Sequence, residues 1–416
     1  MAKIDLSTND SITLARVIEH IRRAGNTSRP EVSRATGLSR TATSKYIAMS
    51  LSLGLVLEGK LGGSTGGRAP RLLKFNAAAG TILLAELGAT GIVISSADLS
   101  GHLSNIATLD VEIALGPDKV LAELAKVFDS IIAKEKIKNI WGIGIGLPGP
   151  VEFATGMPMS PPIMPGWDRY PVRKYLSERY KAPVWIDNEV NLMALGEQSK
   201  TFAKKTNEMI YIKIGSGIGA GLITGSHLHR GAQGCAGDIG HIEVAAASEV
   251  VCRCGNVGCL EAVAGGLALG AEAEKAAKSG KSKFLSDCLK TNKIVTTRDL
   301  IEGSKSGDKW CLDAITGAGR EVGKILATLV NFHNPSLIVI GGGISAAGDQ
   351  LLAAIRQTVL NRSLPLATRD LEIRLGDTSG STGLIGAATM VNYELFESAL
   401  LRQWIKKGRP DSSLTN

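Results

Sequence analysis

Between residues 237 and 261 the chain concentrates the side chains best suited to hold a metal: Gly-Asp-Ile-Gly-His, ten further residues, then Cys-Arg-Cys-Gly-Asn-Val-Gly-Cys-Leu-Glu. Cys252, Cys254 and Cys259 lie in a stretch punctuated by Gly255 and Gly258, so three thiolates can face one point and His241 can supply a fourth ligand. Zinc takes four such ligands in a tetrahedron, and a site closed by four protein ligands is structural. The Cys-x-Cys-x4-Cys spacing points to a Cys3His zinc site, the alternative being three reduced cysteines in an ordinary turn. Such a clamp would hold Asp238, His241 and Glu261 rigidly beside whatever cleft the fold builds.

The elements that must position these groups show in the apolar periodicity. Residues 81–87, 92–97 and 140–146 read as strands and 120–134 as a helix; a second round opens at Met209 with Ile-Tyr-Ile-Lys-Ile and continues to Ser336-Leu-Ile-Val-Ile before Gly341. Two α/β halves predict a two-lobed, actin-like or hexokinase-like fold, with lobes at about 80–205 and 206–416. The cleft between them is a natural ligand site. Gly215-Ser-Gly-Ile-Gly-Ala-Gly follows a predicted strand, and closely spaced glycines such as Gly215, Gly217 and Gly219 let backbone N–H groups approach phosphate oxygens.

The cysteine stretch resembles the signature of the ROK family (repressors, open reading frames and sugar kinases), in which Glu-x-Gly-His contacts a sugar and runs into Cys-x-Cys-Gly-x-x-Gly-Cys-x-Glu around a structural zinc. Every cysteine and glycine matches, as does Glu261, whereas Asp238 stands where the family usually has Glu. The resemblance extends over nearly the whole chain, to Gly383-Leu-Ile-Gly-Ala-Ala. It implies that Asn188, Glu189, Asp238, His241 and Glu261 bind a sugar, and that His241, Cys252, Cys254 and Cys259 hold Zn2+.

It also implies a nucleotide site, altered here. Glu86, Gly88 and Thr90 stand in Glu-Leu-Gly-Ala-Thr-Gly, where family kinases have Asp-x-Gly-x-Thr-Lys; the aspartate has become Glu86 and the lysine Gly91. Gly341 and Gly342 resemble the family's adenosine-binding turn, or make a tight turn and nothing more. Asp187-Asn188-Glu189-Val190-Asn191 matches Asn-Asp-x-Asn, whose aspartate is the catalytic base; Glu189 is one methylene longer. A displacement of about 1 Å can cost on the order of 100-fold in rate. Ile163 stands where many of these kinases place an asparagine on the sugar. Phosphoryl transfer consists almost wholly of positioning and charge, so weak or absent catalysis is expected, with ATP and Mg2+ needed only if it survives.

The net charge of +8 is uneven: residues 1–80 hold 12 of the 47 basic and 5 of the 39 acidic side chains, a net +7 that leaves +1 for the rest. A basic module on a neutral body suggests a polyanion-binding head, although a solvated basic face gives the same count. Leu14, Val17, Ile18 and Ile21 define one helical face; Ser28, Pro30 and Glu31 start a second helix, Gly37 turns the chain, and Ser39 caps a third. The third helix exposes Arg40, Thr41, Ser44 and Lys45, as a helix-turn-helix recognition helix does in a major groove. Two short strands around a glycine-rich tip make a wing whose Arg68 and Arg71 suit a minor groove. A winged helix-turn-helix is therefore expected over 1–76, with Ala77 to Gly80 as linker, although a three-helix module can also dock proteins. It resembles the head of ROK repressors, which ROK sugar kinases lack.

The longest apolar runs fall short of about 18 residues and no secretory leader pattern opens the chain, so membrane insertion is not expected and a cytoplasmic location is. Six cysteines, half of them assigned to a metal, fit a reducing compartment. The leading expectation is a repressor of carbohydrate genes: a homodimer or dimer of dimers that binds an operator in double-stranded DNA and answers to a sugar or sugar derivative. The alternatives are an ATP-dependent sugar kinase with a DNA-binding head, Glu189 acting as its base, and a body that answers to a protein partner.

Overall fold

The computed structural model describes residues 4–61, 71–200, 206–244, 249–377 and 379–415. Ser7 caps helix α1 (Thr8–Ala24), which buries Leu14, Val17, Ile18 and Ile21. Strand β1 (Asn26–Ser28) leads into α2 (Arg29–Thr36), where the Glu31 carboxylate accepts from the Ser28 N–H at 2.7 Å and from its hydroxyl at 2.8 Å. Gly37 turns the chain with φ 67°, and the Ser39 hydroxyl caps α3 (Arg40–Ser52) by accepting from the Ala42 N–H. Strands β2 (Val56–Leu61) and β3 (Arg71–Phe75) pair antiparallel, and β1 adds to β3.

Ala77 to Gly80, expected as a linker, is a packed element. Ala77–Ala79 forms one 3-10 turn and the Ala77 carbonyl accepts from the Leu99 N–H. Gly80 lies against the Trp141 indole, which a Cβ would meet at 2.2 Å. Of the four residues only Gly80 is buried, and the alanines remain partly or fully exposed.

The body opens with β4 (Thr81–Leu87), β5 (Ile92–Asp98), β6 (Leu103–Leu109), α4 (Pro117–Glu135) and β7 (Ile140–Leu147). A short hairpin, β8 (Val151–Glu152) with β9 (Met157–Pro158), precedes α5 (Val172–Tyr180), β10 (Val184–Asn188) and α6 (Glu189–Lys200). The second half contains β11 (Met209–Ile214), β12 (Ile218–Thr224) and β13 (His227–His229), then α7 (Leu260–Ala264), α8 (Gly266–Lys278), α9 (Lys283–Asn292), α10 (Thr297–Lys305) and α11 (Lys309–His333). It continues with β14 (Leu337–Gly341), α12 (Asp349–Arg362), α13 (Pro365–Thr368), β15 (Glu372–Leu375), α14 (Thr382–Phe396) and α15 (Ser398–Lys407).

The sheet orders are β10-β7-β4-β5-β6 and β13-β12-β11-β14-β15. Each contains an antiparallel run of three consecutive strands, with two more added in parallel beside the first of them. This duplication is the physical content of the two α/β rounds. On the first sheet, Leu83, Ala85 and Leu87 share a core with α4 and α5, whereas Ile82 and Leu84 share one with α14. The last helices thus return to the first lobe, and α15 packs on α1 of the head.

One apolar cluster runs from head to body. Within it, edge-to-face ring contacts link Phe75 to Phe396 at 5.7 Å, Phe396 to Trp404 at 6.4 Å and Trp404 to Trp141 at 5.3 Å. Among the described residues no helix is long and apolar enough to cross a membrane. Trp404 is fully buried and donates its indole N–H to the Leu395 carbonyl. Trp404→Ala should therefore destabilise the chain by roughly 3–5 kcal/mol in denaturant titrations; a loss below about 1 kcal/mol would mean that this junction is not load-carrying.

Candidate functional site

A cavity of about 120 Å3 opens where the two lobes meet, and Asn188, Glu189, Lys213, Asp238, His241 and Glu261 all reach it. Asn188 ends β10 with its amide fixed at both ends: Oδ1 accepts from the Val190 N–H and Nδ2 donates to the Gly149 carbonyl, each at 2.8 Å. Behind it, Asp187 Oδ1 accepts from the Asn188 N–H and from Asn191 Nδ2. Ile163 lines the wall, placing an apolar surface where the sequence comparison called for an amide.

Glu189 begins α6 and is buried, with Oε1 at 2.5 Å from Lys213 Nζ. Oε2 is also buried and has no hydrogen-bond partner among the described residues. Lys213 comes from β11 of the other lobe and its ammonium is mostly covered. One oxygen of the carboxylate at the family's base position is thus engaged by an ammonium from the other lobe, and the second is enclosed without a protein partner among the described residues.

Glu261, in the first turn of α7, accepts the Ile218 N–H on Oε2 at 2.9 Å. A Cβ at Gly217 would sit 2.1 Å from that oxygen, so a side chain there would push the carboxylate out of this position. Asp238 faces His241 Nε2 at 3.8 Å, and burial lifts its carboxyl above the usual range while the imidazole opposes that shift.

His241, Cys252, Cys254 and Cys259 bring one ligand atom each to within 4.8 Å of one another. His241 Nδ1 lies 3.6 Å from the Cys252 sulfur, and the Cys254 and Cys259 sulfurs are 3.7 Å apart. The imidazole therefore turns one nitrogen to the thiols and the other to Asp238 and the cleft. Three thiols and one imidazole in this arrangement can hold a metal ion.

Two of the nucleotide-associated stretches reach this cavity, through Ala89 and through Ser216 to Ala220. Gly217 and Gly219 line it, but Glu86, Gly88, Thr90, Gly215, Gly341 and Gly342 do not. Gly341 lies under Tyr211, whose hydroxyl a Cβ would meet at 2.0 Å, and Gly342 turns with φ 86° against the Ile214 backbone. Glu86 is buried beside the start of α14, its Oε2 without a partner among the described residues and so close to Gly383 that a Cβ there would lie at 1.8 Å.

In the head, Ser39, Arg40, Thr41, Ser44 and Lys45 form one exposed face. Lys45 bends from it to Asp10 Oδ1 at 2.7 Å. Arg71 is exposed at the start of β3, 3.5 Å from Glu58, and Arg68 lies outside the described residues. Two residues escaped the sequence reading, one lining the cavity and one lying behind it. Lys213 was visible as a charge inside an apolar strand, and Arg230, which donates to Asp187 Oδ2 at 2.7 Å, gave no such signal.

The ROK family pattern matches residues 86–394. A xylose repressor from Caldicellulosiruptor bescii is 32% identical over 366 residues, covering 88% of this chain and 91% of the relative. A crystal structure of a ROK family transcriptional regulator, a homologue of the E. coli MLC protein, covers 96% of this chain and 100% of its own at TM-score 0.83 and 25% identity. A ROK family glucokinase from Streptomyces griseus, solved with glucose and AMPPNP, covers 75% of this chain and 99% of its own at TM-score 0.64 and 25% identity.

Burial pushes the Glu86 carboxyl up to about 7, with Lys213 drawing it down and Glu189 adding to the rise. The unfolded chain ionises this group near pH 4.5, so as pH rises from there to about 7 the folded protein keeps a proton that the unfolded chain has lost, and stability falls. The loss amounts to at most roughly 3 kcal/mol. Denaturant titrations from pH 5 to pH 8 should show this decline in the native chain and not in Glu86→Gln. Parallel profiles would place the ionisation elsewhere.

Proposed function

Since the chain belongs to the ROK family, we propose that it is a DNA-binding transcriptional repressor of carbohydrate-metabolism genes, released or engaged by a sugar in the interlobe cleft. The observation that favours a receptor over a kinase is the Glu189–Lys213 pair, which occupies the base position with a salt bridge. The likeness to the regulator also spans the head, whereas that to the glucokinase covers 75% of the chain.

Residues 1–76 are read as a winged helix-turn-helix, with α3 in the major groove and Arg40, Thr41 and Ser44 toward base edges or phosphates. Two half-sites need two heads, so a homodimer or a dimer of dimers follows, and a DNA partner places the protein in the cytoplasm. Asn188, Asp238, His241 and Glu261 would contact sugar hydroxyls. The cavity's one ammonium is already neutralised by Glu189, so an uncharged sugar fits better than a phosphorylated one. His241, Cys252, Cys254 and Cys259 would hold zinc, which supplies no reaction step and fixes His241 beside Asp238.

Affinity for a duplex selected from random DNA should fall steeply with salt. Arg40→Ala should lower the salt slope by about 1 if the side chain meets a phosphate, or relax base preference if it reads an edge. Neutral pentoses and hexoses should shift that affinity without being phosphorylated. Turnover in a coupled ATP assay that disappears in Glu189→Gln would overturn the receptor reading in favour of a kinase.

The metal reading has its own check. The purified chain should carry one zinc per protomer, and Cys254→Ser should lose it together with sugar binding by calorimetry. A zinc-free variant that still binds sugar at native affinity would show that the clamp does not shape the cleft.

A further inference from the structure

The head and the second lobe face each other across another cavity, of about 450 Å3. Ala15, Arg16 and Glu19 of α1 form one wall, and Ser226, His227 and Arg230 at the β12–β13 edge face them. Met390, Tyr393 and Phe396 of α14 also line the gap, and through α14 and α15 the head is continuous with the first lobe. Phe75 packs on Phe396, Arg402 donates to the Thr8 hydroxyl at 3.1 Å, and Lys406 pairs with Asp5 at 3.5 Å. Packed cores resist deformation, and an open gap does not. Rotation of the second lobe about the cleft would therefore be absorbed at this gap, with the head held to the first lobe.

Arg230 borders the gap and reaches from it to the buried carboxylate behind the cleft. Its Nε donates to Asp187 Oδ2 at 2.7 Å, and its guanidinium carbon lies 3.8 Å from the centre of the Phe153 ring. Asp187 is 1% exposed, and its other oxygen holds the backbone N–H of Asn188, which lines the cleft. One guanidinium thus belongs to the second lobe, is bonded to the first immediately behind a cleft residue, and borders the space beneath the DNA-binding head.

We propose that Arg230 is a positioning residue that couples the sugar site to the head: closure of the lobes around a sugar carries the β12–β13 edge, through the Asp187–Arg230 pair, toward or away from α1. The inference rests on the sugar-receptor reading above. A sugar shifts this equilibrium only by its differential affinity for the two lobe arrangements.

The full chain is titrated with a duplex selected from random DNA, with and without D-xylose and D-glucose, and the factor by which sugar changes DNA affinity is the readout. Couplings of this kind run from about 5- to 150-fold. In Arg230→Gln the factor should fall below about 3-fold, with sugar affinity and sugar-free DNA affinity each within about 3-fold of native, a separation that a merely structural role would not give. Arg230→Lys, which keeps a charge opposite Asp187, should restore part of the factor. Removing the guanidinium strands a buried carboxylate, so Ala15→Trp supplies an arm that leaves the pair untouched. It fills the gap from the head side and should lower the factor too, and it decides the matter if Arg230→Gln does not fold. A native factor retained in the folded variants overturns the inference. If neither sugar moves the DNA affinity of the native chain, the receptor reading itself falls, and the inference with it.

Discussion

A carboxylate cannot be left bare inside a protein, and the structure in and behind the cleft is organised around how three of them are settled. Glu189 takes Lys213, Asp187 takes Arg230, and Glu86 is held partly as the neutral acid. In both ion pairs the acid comes from the first lobe and the cation from the second. Along α6, Glu197 meets Arg374 in the same sense and Lys200 meets Asp377 with the charges reversed, each at 2.6 Å. Helix α6 is therefore belted to the second sheet by charge while its apolar face packs on α14. Loss of one partner costs about 3–5 kcal/mol when it strands a buried charge, so these pairs fix the register of the lobes without filling the cleft.

The cysteine cluster answers a different problem. The described residues between 237 and 261 contain little regular structure, and few of their side chains are packed to hold an imidazole and two carboxylates in place. A metal would tie the loop at four points and orient His241 through one nitrogen, leaving the other for Asp238. Glu261 is secured independently, by the Ile218 N–H and by the absence of a side chain at Gly217. Metal and backbone thus restrain opposite ends of the same wall.

Much of this could be read before any coordinates. The periodicity of α1, the caps at Ser28 and Ser39, the strands of both rounds and the spacing of the metal ligands are local signals, set by side-chain alternation and turn chemistry. The Glu189–Lys213 pair could not be read, because it joins positions from different lobes and only the topology makes them neighbours. Arg230 was hidden for the same reason, lying 43 residues after its partner. The packing at Ala77 to Gly80 could not be read either, because short alanine- and glycine-rich stretches look alike whether solvated or packed. What distinguishes this one is Trp141, far along the chain.

That packed junction bears on how a receptor of this shape could work at all. A head on a flexible tether would sample every orientation whatever the cleft held, and a change between the lobes would not reach the DNA. Here the ring contacts from Phe75 to Trp141, through Phe396 and Trp404, make the head an extension of the first lobe. The second lobe is left as the part that can move. In the proposed dimer, two heads meeting grooves about 34 Å apart would be sensitive to small changes of angle, and a rigid mount would turn a modest lobe rotation into a mismatch with the duplex. In this arrangement a cleft shared with sugar kinases can lose its chemistry and keep its mechanical use, because closure around a ligand needs the belted helix and the paired charges and does not need a free base.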